Sequence, residues 1–119
     1  MTSTAAMNEP IVNDITIYQG TDNVWFFRRV TDTGTPIIPS SAKAQVRYAP
    51  DKELWADFDV TIDPVTGWMK LVILEAVTIT EEWYGRCTGS WDLEVILDGL
   101  KYRWVMGAAT VSHEVTQSV

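Results

Sequence analysis

Trp91-Asp-Leu-Glu-Val-Ile-Leu97 runs into Asp98-Gly99 and then into Leu100-Lys-Tyr-Arg-Trp104, and this stretch decides the fold. Trp91, Leu93, Val95 and Leu97 recur at every second position with Asp92 and Glu94 between them, the period of a strand with one buried face. A helix would need apolar spacings of three and four. Asp98-Gly99 fits a two-residue type I′ hairpin, whose two central residues both need positive φ. The stretch therefore predicts antiparallel strands over 89–97 and 100–112. Tyr102, Trp104 and Met106 share one phase and Val111 the other, which predicts a bulge near Gly107-Ala108-Ala109.

Outward from this hairpin the same period returns. In Asp57-Phe-Asp-Val-Thr-Ile-Asp63, Phe58, Val60 and Ile62 fall on one side, and Asp57, Asp59, Thr61 and Asp63 on the other. Further strands are expected over 14–19, 23–31, 42–49, 55–63 and 67–74. Thr31-Asp-Thr-Gly34-Thr-Pro36 and Pro64-Val-Thr-Gly67 read as hairpin loops. Only Leu74 to Tyr84 has helical character, as a single turn bridging the sheets. About seven strands with short connections predict an all-β, antiparallel two-sheet sandwich of immunoglobulin-like size. The expected organisation is an N-terminal arm over 1–13, the sandwich over 14–116 and a tail over 117–119. An aperiodic arm would be mobile alone, so a neighbouring subunit is its expected anchor.

At 119 residues and 46% hydrophobic, the chain can bury a core without disulfide or metal staples. Its formal charge of -7 and scattered Lys and Arg argue against nucleic acid and anionic membrane surfaces. No apolar run approaches the roughly 20 residues of a bilayer span. The first nine residues lack a basic leader and an apolar core, so synthesis is expected to end in the cytosol. Cys87 is single and reads as a buried small hydrophobe.

Chemistry is sparse. The one histidine, His113, lies in a polar tail without a nucleophile beside it, and one His with one Cys cannot build a three- or four-ligand zinc site. Asp57, Asp59 and Asp63 on one strand face read as a solvated face rather than a calcium site. The isolated glycines serve turns and not a phosphate loop. No catalytic residue, metal or cofactor is expected.

Aromatic residues carry the functional signal. Val24-Trp-Phe-Phe27 and Trp68-Met-Lys-Leu-Val-Ile-Leu74 are apolar on both faces, where a half-exposed strand should alternate. Trp55 and Trp83-Tyr84 have no fixed phase. Trp25, Phe27, Trp55, Trp68, Trp83 and Tyr84 are therefore the candidate partner contacts, since aromatics concentrate in interface centres.

The order of motifs resembles the β-sandwich modules of tailed-bacteriophage tails and baseplates, of the lower-tail-fibre (LtfC-like) type. The matching residues are Ile15-Thr-Ile-Tyr-Gln-Gly20, Gly34-Thr-Pro36-Ile and Ala44-Gln-Val-Arg47, then Gly67-Trp-Met-Lys-Leu-Val, Ala76-Val-Thr78, Trp91-Asp-Leu-Glu-Val95 and Asp98-Gly99. Gly107-Ala-Ala-Thr-Val-Ser112 and His113-Glu-Val-Thr116 close the series. The resemblance implies a non-enzymatic virion protein, a minor tail component contacting other phage structural proteins or copies of itself. A head-decoration or head–tail connector role is the nearest alternative. From another class, a carbohydrate-binding module would stack a host glycan on Trp55 or Trp83-Tyr84.

Overall fold

The computed structural model describes residues 2–3 and 9–115. Eleven strands form among them: β1 (Thr2–Ser3), β2 (Ile11–Val12), β3 (Ile15–Tyr18), β4 (Asn23–Val30), β5 (Pro36–Ile37), β6 (Ser41–Arg47), β7 (Leu54–Asp57), β8 (Asp59–Ile62), β9 (Met69–Ile73), β10 (Thr88–Leu97) and β11 (Leu100–Ser112). A helical turn α1 (Glu75–Thr78) and a 3-10 turn (Glu81–Gly85) connect β9 to β10. The first sheet has the order β1-β4-β9-β8, with β5 also on β4. The second has β2-β11-β10-β6-β7, with β3 also on β11. The chain is thus the expected all-β two-sheet sandwich.

The hairpin that decided the reading is present. Asp98 and Gly99 have φ of 51° and 77°, the positive pair a type I′ turn requires, and Leu97 pairs with Leu100 across it. From there β10 pairs with β11 on one side and β6 on the other, so it is the central strand of its sheet.

The strand order is that of an immunoglobulin-type sandwich. β4, β9 and β8 take the places of strands B, E and D, and β6, β10 and β11 those of C, F and G. Such domains often tie B to F with a disulfide. Here the rings of Phe27 on β4 and Trp91 on β10 meet instead, with centroids 5.5 Å apart. Phe58 lies 5.8 Å from the same indole. The indole N–H of Trp91 donates to the Asn13 carbonyl at 2.8 Å, which ties the start of the chain to the core. Ile17, Met69, Leu71 and Leu93 are fully buried around this centre.

Three expectations change. The segment 55–63 is not one strand: Phe58 N–H donates to the Ala44 carbonyl in the second sheet, and at Asp59 the chain joins β9 in the first. The alternation survives this crossing because both sheets point their inner faces at one core. The bulge lies at Trp104, not at Gly107–Ala109. Leu93 pairs with Val105 and Glu94 with Arg103, which leaves Trp104 as the extra residue. Trp104 and Val105 are consequently both buried, and Met106 turns outward. Cys87 is exposed rather than buried.

The region read as an arm is anchored by the chain itself. β1 pairs parallel with Arg28 and Arg29, and β2 pairs parallel with Val105 and Met106. The Arg29 guanidinium is buried, stacks 5.6 Å over the Trp104 ring and donates to the Glu9 carbonyl. Burial pulls its pKa below the ordinary arginine value, and the Glu9 carboxylate opposes the shift. The remaining arm residues 1 and 4–8, Thr116 and the tail 117–119 lie outside the described residues.

Candidate interaction surfaces

The six candidate aromatics separate by burial. Phe27, Trp55 and Trp83 are at most 9% exposed and belong to the core, so a partner cannot reach them. Gly89 makes Trp55 fit, because any Cβ there would stand 2.6 Å from its ring. A glycine inside an otherwise alternating strand was the sequence signal for that close approach. Trp83 is pulled inward by the 3-10 turn and meets Trp55 edge-on at 6.1 Å, and the Arg86 guanidinium lies 4.7 Å over Trp83 and 5.4 Å over Trp55. Nε2 of His113 donates to the Trp83 carbonyl at 3.1 Å, which gives the lone histidine a structural role.

Trp25 is partly buried, edge-on to Phe58 at 5.5 Å. Trp68 is partly buried beneath the Arg28 guanidinium, 4.7 Å from its ring. Tyr84 is 43% exposed, the most accessible of the six.

Exposed apolar side chains are spread over the surface, and two groups of them bear on the candidate contacts. On the outer face of the first sheet, Val24 and Phe26 are exposed, and Val24 pairs with Val72. The two-faced pattern of β4 is therefore real. At one end of the sandwich, Tyr18, Val77 and Ile79 are exposed around α1. Hydrogen bonds hold this end together: Gly20 N–H donates to Thr78 Oγ1 at 2.9 Å, and Glu75 N–H to Asp22 Oδ1 at 2.8 Å. Glu114 N–H reaches Gln19 Oε1 at 3.3 Å. Glu81 and Glu82 follow on the 3-10 turn.

The outer face of the second sheet carries an open groove of about 690 Å³. Its floor is made by the outward positions of β6, β10 and β11, among them Arg47, Ser90, Asp92 and Arg103, with Pro50 and Met106 also lining it. Arg103 pairs with Asp92 at 3.2 Å and Lys101 with Glu94 at 3.4 Å. Burial, helped by Glu94, pushes the Asp92 carboxyl above its ordinary range, against Arg103, Lys101 and Arg47. In sequence these residues are the polar half of an alternation, indistinguishable from any solvated sheet face.

The three aspartates weighed as calcium ligands are separated by the corner at Phe58. Asp57 lies on β7 and accepts from Gln45 Nε2 at 2.7 Å, while Asp59 lies on β8 in the other sheet. Asp63 accepts from the Val65 and Thr66 amides, which holds its carboxyl below the usual range. Among the described residues, no group of three or more His, Cys, Asp or Glu side chains is placed to hold a metal ion. Among the described residues, no helix is long and apolar enough to cross a membrane. No protein-family model matches the chain, and no curated protein matches it.

Proposed function

We propose that the chain is a non-enzymatic structural subunit that contacts other proteins in an assembly. The observation that carries this reading is the apolar end of the sandwich: Tyr18, Val77 and Ile79 are 56%, 39% and 44% exposed on a domain whose core is already complete without them. Val77 and Ile79 lie two residues apart in the chain, which makes their exposed side chains a candidate contact site. The virion, and within it the tail or baseplate, is proposed on the motif resemblance alone.

Cryo-electron microscopy of particles carrying the gene tests the assignment. Sandwich-shaped density in the tail is the expected result, and density at the head or connector would move the subunit within the virion. Particles with no copy of the chain would overturn the virion assignment. The glycan-binding alternative rested on Trp55 or Trp83-Tyr84 as a platform. With both tryptophans buried, Tyr84 alone remains of it.

A further inference from the structure

We infer that Asn23 guards the free edge of the second sheet by standing in for a neighbouring strand, and that the guarded strand, β3, pairs with β3 of a second copy once the guard is removed.

β3 (Ile15–Tyr18) pairs with β11 alone. Gln19 N–H donates to the Ser112 carbonyl at 2.9 Å beside the bridge between Tyr18 and Ser112, so Ile15, Ile17 and Gln19 carry the parallel ladder to β11. The peptide N–H and C=O of Thr16 and Tyr18 therefore point the other way, off the edge of the sheet. At Tyr18 both groups are taken by one side chain. Asn23 Oδ1 accepts from Tyr18 N–H at 2.9 Å, and Asn23 Nδ2 donates to the Tyr18 carbonyl at 3.0 Å and to the Thr21 carbonyl at 3.1 Å. A carboxamide offers the same donor and acceptor as a peptide group. Asn23, 6% exposed, holds them where the next strand would place its own.

Other edge strands are blunted in simpler ways, with Pro36 in β5, Asp57 in β7 and Asp59 in β8. Ile15-Thr-Ile-Tyr-Gln19 has neither charge nor proline and is rich in β-branched residues, so it is an edge that pairs readily. The spacing of its outward groups selects the occupant. Two β3 strands set antiparallel about a two-fold axis at Ile17 bring Thr16 of each copy opposite Tyr18 of the other. Each such pair exchanges N–H and C=O, and in each copy these are the Tyr18 groups that Asn23 now holds. The same register lays the Tyr18 ring, 56% exposed, beside a β-branched Thr16, a favourable cross-strand pair. A two-fold contact uses up both edges, so association stops at the dimer. A guard of this kind acts whatever assembly the chain enters.

The test is sedimentation velocity on the full chain over a wide range of concentration, at about 0.15 M salt, where repulsion between two chains of charge -7 is screened beyond about 8 Å. Wild type should stay monomeric. Asn23→Ala and the isosteric Asn23→Leu both release the Tyr18 peptide groups and should dimerise about tenfold or more tightly than wild type. Adding Thr16→Pro to either should restore the monomer. Thr16 N–H lies on the open side, so proline removes an edge donor without touching the ladder to β11. Thr16→Lys, a charge on the same edge, replaces the proline if that variant does not fold. Circular dichroism melts check folding. Hydrogen exchange read by NMR gives the residue-level check: Thr16 N–H should exchange fast in wild type and become protected in the Asn23→Ala dimer.

Asn23 also shapes the turn from β3 into β4, so a lower melt alone is what a merely structural asparagine would give. Asn23 variants that melt lower but stay monomeric overturn the inference. So does a dimer that survives the change at Thr16, or a wild type that dimerises as tightly as the variants.

Discussion

Trp91→Ala removes the side chain around which the two sheets meet. The indole is 3% exposed, touches the rings of Phe27 and Phe58 from the opposite sheet and the corner, and anchors the Asn13 carbonyl. A buried Trp covers roughly 200 Å², of which alanine recovers a part, so at about 25 cal/mol per Å² the lost burial is about 4 kcal/mol. The orphaned Asn13 carbonyl adds about 1 kcal/mol. The sum is near the top of the range of roughly 3–5 kcal/mol for large aromatic truncations. An unfolding entropy of about 2.1 cal/mol/K per residue makes each kcal/mol worth about 4 °C here, a fall in Tm of about 16–20 °C.

Trp91→Phe separates the two contributions. It keeps most of the ring contacts and loses the N–H, so about 1–2 kcal/mol and a fall of about 4–8 °C are expected. Calorimetry on wild type and both variants, with guanidinium titrations as a second measure, reads the difference. A Trp91→Ala melt within about 4 °C of wild type would refute the reasoning, since a change under about 1 kcal/mol is inconsistent with a sheet-bridging indole. Equal losses in both variants would show that the hydrogen bond, not the packing, holds this position.

Gly89→Ala should cost about 3 kcal/mol, the upper end for overpacking, because its Cβ would stand 2.3 Å from the Arg47 carbonyl and backbone cannot step aside; an unchanged melt would show that β6 and β10 are farther apart than described. Gly99→Ala forces a Cβ into φ +77° and should cost about 1–2 kcal/mol in a denaturant titration, whereas a neutral result would rule out the type I′ turn. Asp92 has a raised carboxyl pKa, so its contribution to stability is full below the ordinary carboxylate range and is lost as pH rises through the raised value. Asp92→Asn, neutral at every pH, should therefore melt above wild type at pH 7 and lose that advantage at pH 3; an Asn variant less stable at pH 7 would show that the Arg103 pair outweighs the burial.

The strands were legible because their burial is one-sided. All seven expected segments contain strand, and β10 and β11 follow their expected ranges within a residue. What the pattern hid was a change of sheet and an extra residue. Phe58 faces the core whichever sheet it belongs to, so period two runs through the corner unbroken. Trp104 and Val105 are both apolar, so either phase looked acceptable, and only cross-strand pairing reveals the bulge. The two-residue strands β1, β2 and β5 are too short to show any period.

The contact candidates fared differently for a related reason. Composition marks an aromatic as able to bind but not as reachable. Trp83 reads as an exposed connector residue until the 3-10 turn rotates it under Arg86. Lys101, Arg103 and Asp92 each look ordinary, and only the pairing of β10 with β11 gathers them beneath one groove.

The parallel pairing of β3 with β11 joins the first long segment of the chain to the last, with Ile15 against Ala109 and Tyr18 against Ser112. Tension that passes β1 and β2 and reaches β3 at its start and β11 at its finish pulls them in opposite senses along one line. The rungs between them are then sheared together rather than opened one after another, and none can give way until all do. A module strung by its ends between neighbours in a long, mechanically stressed particle would meet a pulling force with its whole ladder at once.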